Sequence, residues 1–159
     1  MKSVWFFGLA SLALLLALAA YLAPLQPPLV VLQMTFSPAA FQAVTSQWGP
    51  AGVALFRSHL LPDFGLMLCY ALYGVCTVRY TRLFQMRHVP PIFWYSIMPL
   101  AALADVSENC FHLALTAPGA QPADWWYGAA GASASVKFAL IVLFLGAAIW
   151  RGFRLRRPR

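Results

Sequence analysis

The stretch PIFWYSIMPLAALADVSENCFH, Pro91 to His112, decides how the rest of the chain is read. With Leu113, Ala114 and Leu115 it is long enough to cross a bilayer, because a membrane helix needs about 20 mostly apolar residues. Yet it carries Asp105, Glu108, Asn109 and His112. These stand at i, i+3, i+4 and i+7, so at 100° per residue they share one helix face. Inward, the same face continues through Met98, Ala101 and Ala102. An apolar helix with one polar stripe is a wall of a helical bundle whose polar side faces inward. Pro99 lies below the polar stretch and frees a carbonyl there.

Three further apolar runs surround this one: Val4 to Ala23, about Leu60 to Val78, and about Gly128 to Trp150. With Pro91 to Leu115 they make four spans. The expectation is an all-α, transmembrane four-helix bundle, a single integral membrane domain over residues 1–159. Composition agrees. Of 159 residues, 62% are hydrophobic and 9% charged, against roughly a quarter charged in soluble domains. That excludes a disordered tail, a disulfide-rich secreted scaffold and almost any soluble enzyme. Span 1 carries Ala17-Leu18-Ala19, which looks like a leader cleavage site. Its apolar run exceeds the usual signal core of 7–15 residues, and it is expected to be retained.

The formal net charge is +7. A basic chain suggests nucleic acid, but position decides against that. Lys2, Arg79, Arg82, Arg87, Arg151, Arg154, Arg156, Arg157 and Arg159 all fall on one predicted side. Arg57 alone falls on the other, and Lys137 sits inside span 4. By the positive-inside rule the N-terminus and C-terminus are cytoplasmic. No nucleic-acid partner is expected, and the Arg-rich tail suits anionic lipid. Trp5, Trp94 and Trp150 fall at predicted inner ends, and Trp48, Trp125 and Trp126 in outer segments, as an interfacial belt requires.

The outer loop, residues 24–59, is expected to contain short helices. Pro24, Pro27 and Pro28 stop span 1. Ser37-Pro38 reads as an N-cap and first-turn proline, opening a helix through about Gln47. Gly49-Pro50 breaks it, and an apolar segment from Ala51 leads into span 2. The loop is expected against the membrane–water boundary, the alternative being a cap on the bundle.

Lys137 lies about 13 Å into span 4, Asp105 about 15 Å and Glu108 about 10 Å into span 3. Equal depth allows Lys137 to pair with either acid, and Ala130, Ser133 and Ala134 on its face permit close helix approach. Asp63, at the start of span 2, lies near the level of His112, with Arg57 and His59 nearby. The candidate cluster is therefore Asp63, Asp105, Glu108, Asn109, His112, Lys137 and Arg57. A charge at mid-membrane costs about 2.5–3.5 kcal/mol even on the lenient scale, so these groups should face inward and pair. A register-fixing role for buried ion pairs stands beside a ligand-site role.

Metal is not expected. Glu108 and His112 are i, i+4, but a zinc site wants three or four strong ligands. No cofactor is expected either, since no P-loop, dinucleotide fingerprint or nucleophile elbow occurs. Cys69, Cys76 and Cys110 form no C-x-x-C and read as buried apolar residues. Gly131, Ser135 and Ala139 make a small-residue ladder, expected to pack helices within the chain.

Several segments together carry a resemblance. They are Leu-Gln-Met-Thr-Phe-Ser after a Pro-rich loop, Gln47-Trp48-Gly49, Asp63 at the start of span 2, Asp105-Val-Ser-Glu108-Asn109, and Lys137-Phe-Ala-Leu. The chain resembles a group of small bacterial four-span membrane proteins with an Asp-x-x-Glu-Asn motif in span 3. The resemblance implies a bacterial inner-membrane location and carries no activity over. At the level of architecture alone the chain is also similar to the emopamil-binding, sterol-isomerase-like membrane proteins.

The functional expectation is binding of a small ligand, lipid or membrane protein partner through an outward-opening polar cluster, without catalysis. Two alternatives remain. One is an intramembrane acid–base enzyme with Glu108 or Asp105 as base and His112 as acid. The other is a proton- or ion-coupled transporter that requires a homo-oligomer.

Overall fold

The computed structural model describes residues 1–85 and 89–156. Arg87, Arg157 and Arg159, which enter the charge argument, lie outside them. The described residues form five helices and no strand: α1 (Lys2–Leu22), α2 (Leu29–Gln33), α3 (Pro38–Tyr80), α4 (Pro91–Leu115) and α5 (Trp125–Arg156).

Three helices are long and apolar enough to cross a membrane: Lys2–Leu22, Pro38–Tyr80 and Trp125–Leu155. α4 has 25 residues, about 37 Å of helix. Its length suffices, but Asp105, Glu108, Asn109 and His112 reduce its mean hydropathy. The outer surface needs a non-aqueous solvent. Leu61 is 80% exposed, Ile92 71% and Val142 69%, while Glu108 is 0% and His112 1% exposed. Burying charge while exposing large aliphatics inverts a water-soluble protein.

α3 opens as its sequence dictates. Ser37 is the N-cap, its hydroxyl accepting from Ala40 N at 3.4 Å, and Pro38 follows in the first turn. Forty-three residues of straight helix would reach about 65 Å, twice a bilayer. Gly49 divides them, with φ 64° and ψ −179°, a conformation open essentially to glycine alone. Pro50 then starts the second half without needing a hydrogen-bond acceptor. Trp48 ties the first half down by donating from Nε1 to Pro27 O at 2.7 Å.

α1 packs along α3, α3 along α4, and α4 along α5. Two apolar clusters result. One gathers Leu22, Leu25, Leu32, Phe41, Val44, Trp48, Phe56, Leu60, Leu115, Tyr127 and Ala130. The segment after α1 therefore folds over the end of the bundle, the capping arrangement rather than a strip lying flat beside it. Gly131 is needed there. A Cβ on it would stand 2.5 Å from Thr35 O and 2.9 Å from Phe36 Cδ1. The small-residue ladder thus packs within the chain at its first step.

The second cluster holds Met67, Tyr70, Val78, Phe84, Trp94, Ile97, Met98, Ala101 and Phe144. Phe84 lies between Trp94, 4.9 Å away, and Phe144, 4.6 Å away. Two tryptophans expected in the interfacial belt are thus core residues: Trp48 is 8% exposed and Trp94 5%. Their rings fill interhelical space that no smaller side chain here occupies. The cysteines also differ from expectation. Cys110 is exposed and Cys69 and Cys76 are half-buried. They lie off the inward stripes, on surfaces where an apolar thiol needs no burial against protein.

Candidate functional site

The polar residues sit between the two apolar clusters. On α3, Asp63 falls between Leu60 and Met67. On α4, Asp105 and Glu108 fall between Ala101 and Leu115. On α5, Lys137 falls between Ala130 and Phe144. Each helix brings its polar group to this level because its inward stripe is otherwise apolar. The buried residues of α4 run Trp94, Ile97, Met98, Ala101, Asp105, Glu108, Asn109, His112, Leu115, a period of three and four throughout. Ala130 and Ala134, 2% and 0% exposed, let α5 come close enough for Lys137 to reach across.

Lys137 is the hub. Its Nζ donates to Asp105 Oδ1 at 3.0 Å and lies 2.6 Å from Glu108 Oε2. The Glu108 contact is a close, buried ion pair. Gln33 of α2 approaches the same carboxylate. Asp105 is fully engaged, its Oδ2 accepting from Tyr70 Oη at 3.0 Å. Asp63 and Asn109 form a neighbouring pair, Asn109 Nδ2 donating to Asp63 Oδ2 at 2.9 Å.

His112 and Arg57 stand apart from this hub. His112 Nδ1 is 3.6 Å from Glu108 Oε1, beyond a hydrogen bond. Its ring is stacked on Phe41 at 6.0 Å and set edge-on to Phe56 at 5.5 Å. Arg57 turns to the end of α4, where its Nη1 donates to Leu113 O and Thr116 Oγ1, both at 2.7 Å. Leu113 O is one of the last helix carbonyls, which have no partner inside the helix, and a cation suits that pole. Arg57 is therefore a helix-end clamp and not a member of the Lys137 cluster.

Two contributors were not among the expected residues. Tyr70 had a legible signal, since it follows Asp63 by seven residues on the same face of α3. Gln33 had none, because its position depends on the path of the capping segment. His59 is 3% exposed. Its Nδ1 bonds Phe56 O; a carbonyl only accepts, so Nδ1 carries the proton and Nε2 is left an acceptor.

A cavity of about 1070 Å³ opens beside the cluster, bounded mainly by α1, α3 and α5, with α2 and α4 also contributing to its wall. It arises because α1 leans on α3 and not on α5. His59, Asp63, Tyr70, Asp105 and Lys137 reach it, and so does Gln33; Glu108 and His112 do not. On α3 its lining extends from His59 to Thr77, about 27 Å along the helix. Most of the wall is apolar, with the ionisable groups His59, Asp63, Asp105 and Lys137 toward one end and the hydroxyls of Ser11, Thr77 and Thr81 along the rest. Among the described residues no three of His, Cys, Asp or Glu are grouped to hold a metal ion.

No family model, curated protein or solved structure matches the chain.

Proposed function

We propose that this chain is a four-span protein of the bacterial inner membrane, both ends cytoplasmic, that binds a small amphiphilic ligand through the polar cluster. The observation that carries the reading is the cavity of about 1070 Å³ reaching Asp63, Asp105 and Lys137. Ligand sites usually measure about 300–1,000 Å³ and are apolar with a few convergent polar groups. A pair serving only to fix helix register needs no such opening beside it. α4 counts as the fourth span because its polar stripe faces protein throughout. The positive-inside pattern supports the orientation, which puts the polar end of the cavity on the extracytoplasmic half.

Lys137 is shared between Asp105 and Glu108, so its charge is already balanced before any anion arrives. The acid–base alternative changes shape for a related reason. Glu108 and His112 have no access to the cavity, so such chemistry would fall to Asp63 and His59, which do.

The test is co-purification. The full chain, extracted in mild detergent, should carry a bound lipid or small amphiphile in native mass spectra. Leu66→Trp or Ile141→Trp, each filling the cavity, should remove most of it at unchanged helicity. Equal retention in both filled variants, or no bound species in the parent chain, would refute the reading.

A further inference from the structure

The cavity selects the head of its ligand. This inference rests on the ligand-binding reading and deepens it. From the polar residues that line the cavity, we infer that the bound molecule is a long-chain amphiphile with a hydrogen-bond-donating, non-anionic head, of the long-chain alcohol or diacylglycerol class.

The argument starts from which groups are already used. Lys137, the one Lys or Arg among the described residues that lines the cavity, is shared by Asp105 and Glu108. Asp105 has both oxygens engaged, by Lys137 and Tyr70. Among the other polar residues that line the cavity are His59, Asp63, Gln26 and Gln33. His59 is 3% exposed and lines the cavity; with Nδ1 carrying the proton, the neutral ring presents Nε2 as an acceptor. Asp63, four residues on and one turn away, uses Oδ2 for Asn109 and leaves Oδ1 unbonded. An uncommitted carboxylate oxygen calls for a donor, which a hydroxyl or an ammonium supplies and a sulfate, phosphate diester or carboxylate does not. Charge points the same way. Of the ionisable groups lining the cavity, Asp63 and Asp105 face one lysine, so an anionic head would enter a net negative neighbourhood of low dielectric.

The rest of the ligand follows from the wall. From Asp63 to Thr77 the lining follows α3 for about 21 Å. That is most of a hydrocarbon core about 30 Å thick. An extended acyl or prenyl chain fills such a slot, whereas a compact solute leaves most of it empty. The slot is flanked by lipid-facing α1, whose Leu12 and Leu15 belong to its wall.

The experiment uses the full chain in mild detergent with three probes of equal chain length: 1-hexadecanol, hexadecylammonium and hexadecyl sulfate. Native mass spectrometry of an equimolar mixture reads occupancy. The alcohol and the ammonium should each exceed the sulfate at least tenfold. Asp63→Asn keeps an acceptor oxygen for Asn109 and turns the other position into a donor. It should cut the preference against sulfate at least fivefold while total occupancy persists, an effect a purely structural role would not produce. His59→Phe, a ring that packs on Phe56 without Nε2, should weaken alcohol binding and leave melting nearly unchanged. Sulfate binding that equals or exceeds alcohol binding, and that Leu66→Trp abolishes, overturns the head-group inference while the binding reading survives. If no probe binds either chain, the binding reading itself fails.

Discussion

Lys137 carries one positive charge into a space with two carboxylates, and its removal leaves both without a cation. Breaking a buried pair by deleting one partner costs about 3–5 kcal/mol, whereas replacing all partners by neutral groups is often near neutral. Lys137→Met should therefore lower thermal stability in detergent by that order. The triple change Lys137→Met, Asp105→Asn, Glu108→Gln should recover most of the loss. Melting of the two variants checks this, and equal stability for both would show that the charges are uncoupled. Arg57 follows a different rule, since it closes carbonyls at the end of α4 and serves no partner in the cluster.

At the scale of the helix, Gly49 is the position on which α3 depends. Any Cβ there meets a backbone of φ 64° and ψ −179°, a region that costs about 1–3 kcal/mol for other residues. Gly49→Ala should destabilise the protein by that amount even though no atom lies within 4 Å of the added Cβ. A melting temperature equal to the parent's would mean that α3 relaxes at no cost. This break was legible in Gly49-Pro50, and so were the N-cap at Ser37 and the shared face of Asp105, Glu108, Asn109 and His112. All are local signals, written in spacing and in backbone chemistry. Arg57, Trp48, Trp94 and Gln33 were not legible in the same way. Their surroundings come from how separate helices meet, and a depth count along each span says nothing of which way a long side chain turns. Tyr70 lies between these cases, its face readable and its partner not.

For the whole molecule, the charge distribution and the exposed aliphatics make one prediction about sidedness. In a cysteine-free background, a cysteine at Ala120 should react in intact cells with a membrane-impermeant thiol reagent. A cysteine at Gln85 should react only after permeabilisation. The reverse pattern would overturn the proposed orientation. Both positions are exposed, so reactivity reports the side and not burial. The arrangement of layers has a further consequence. Three acids and a lysine inside a membrane are an invitation to a file of water, and with it to leakage of protons. Here the Phe84, Trp94 and Phe144 rings stack below that level and the Phe41, Phe56 and Trp48 group closes it above. Both aromatic layers separate the charges from the two ends of the interhelical core, so the route by which water could reach them is the cavity at the side.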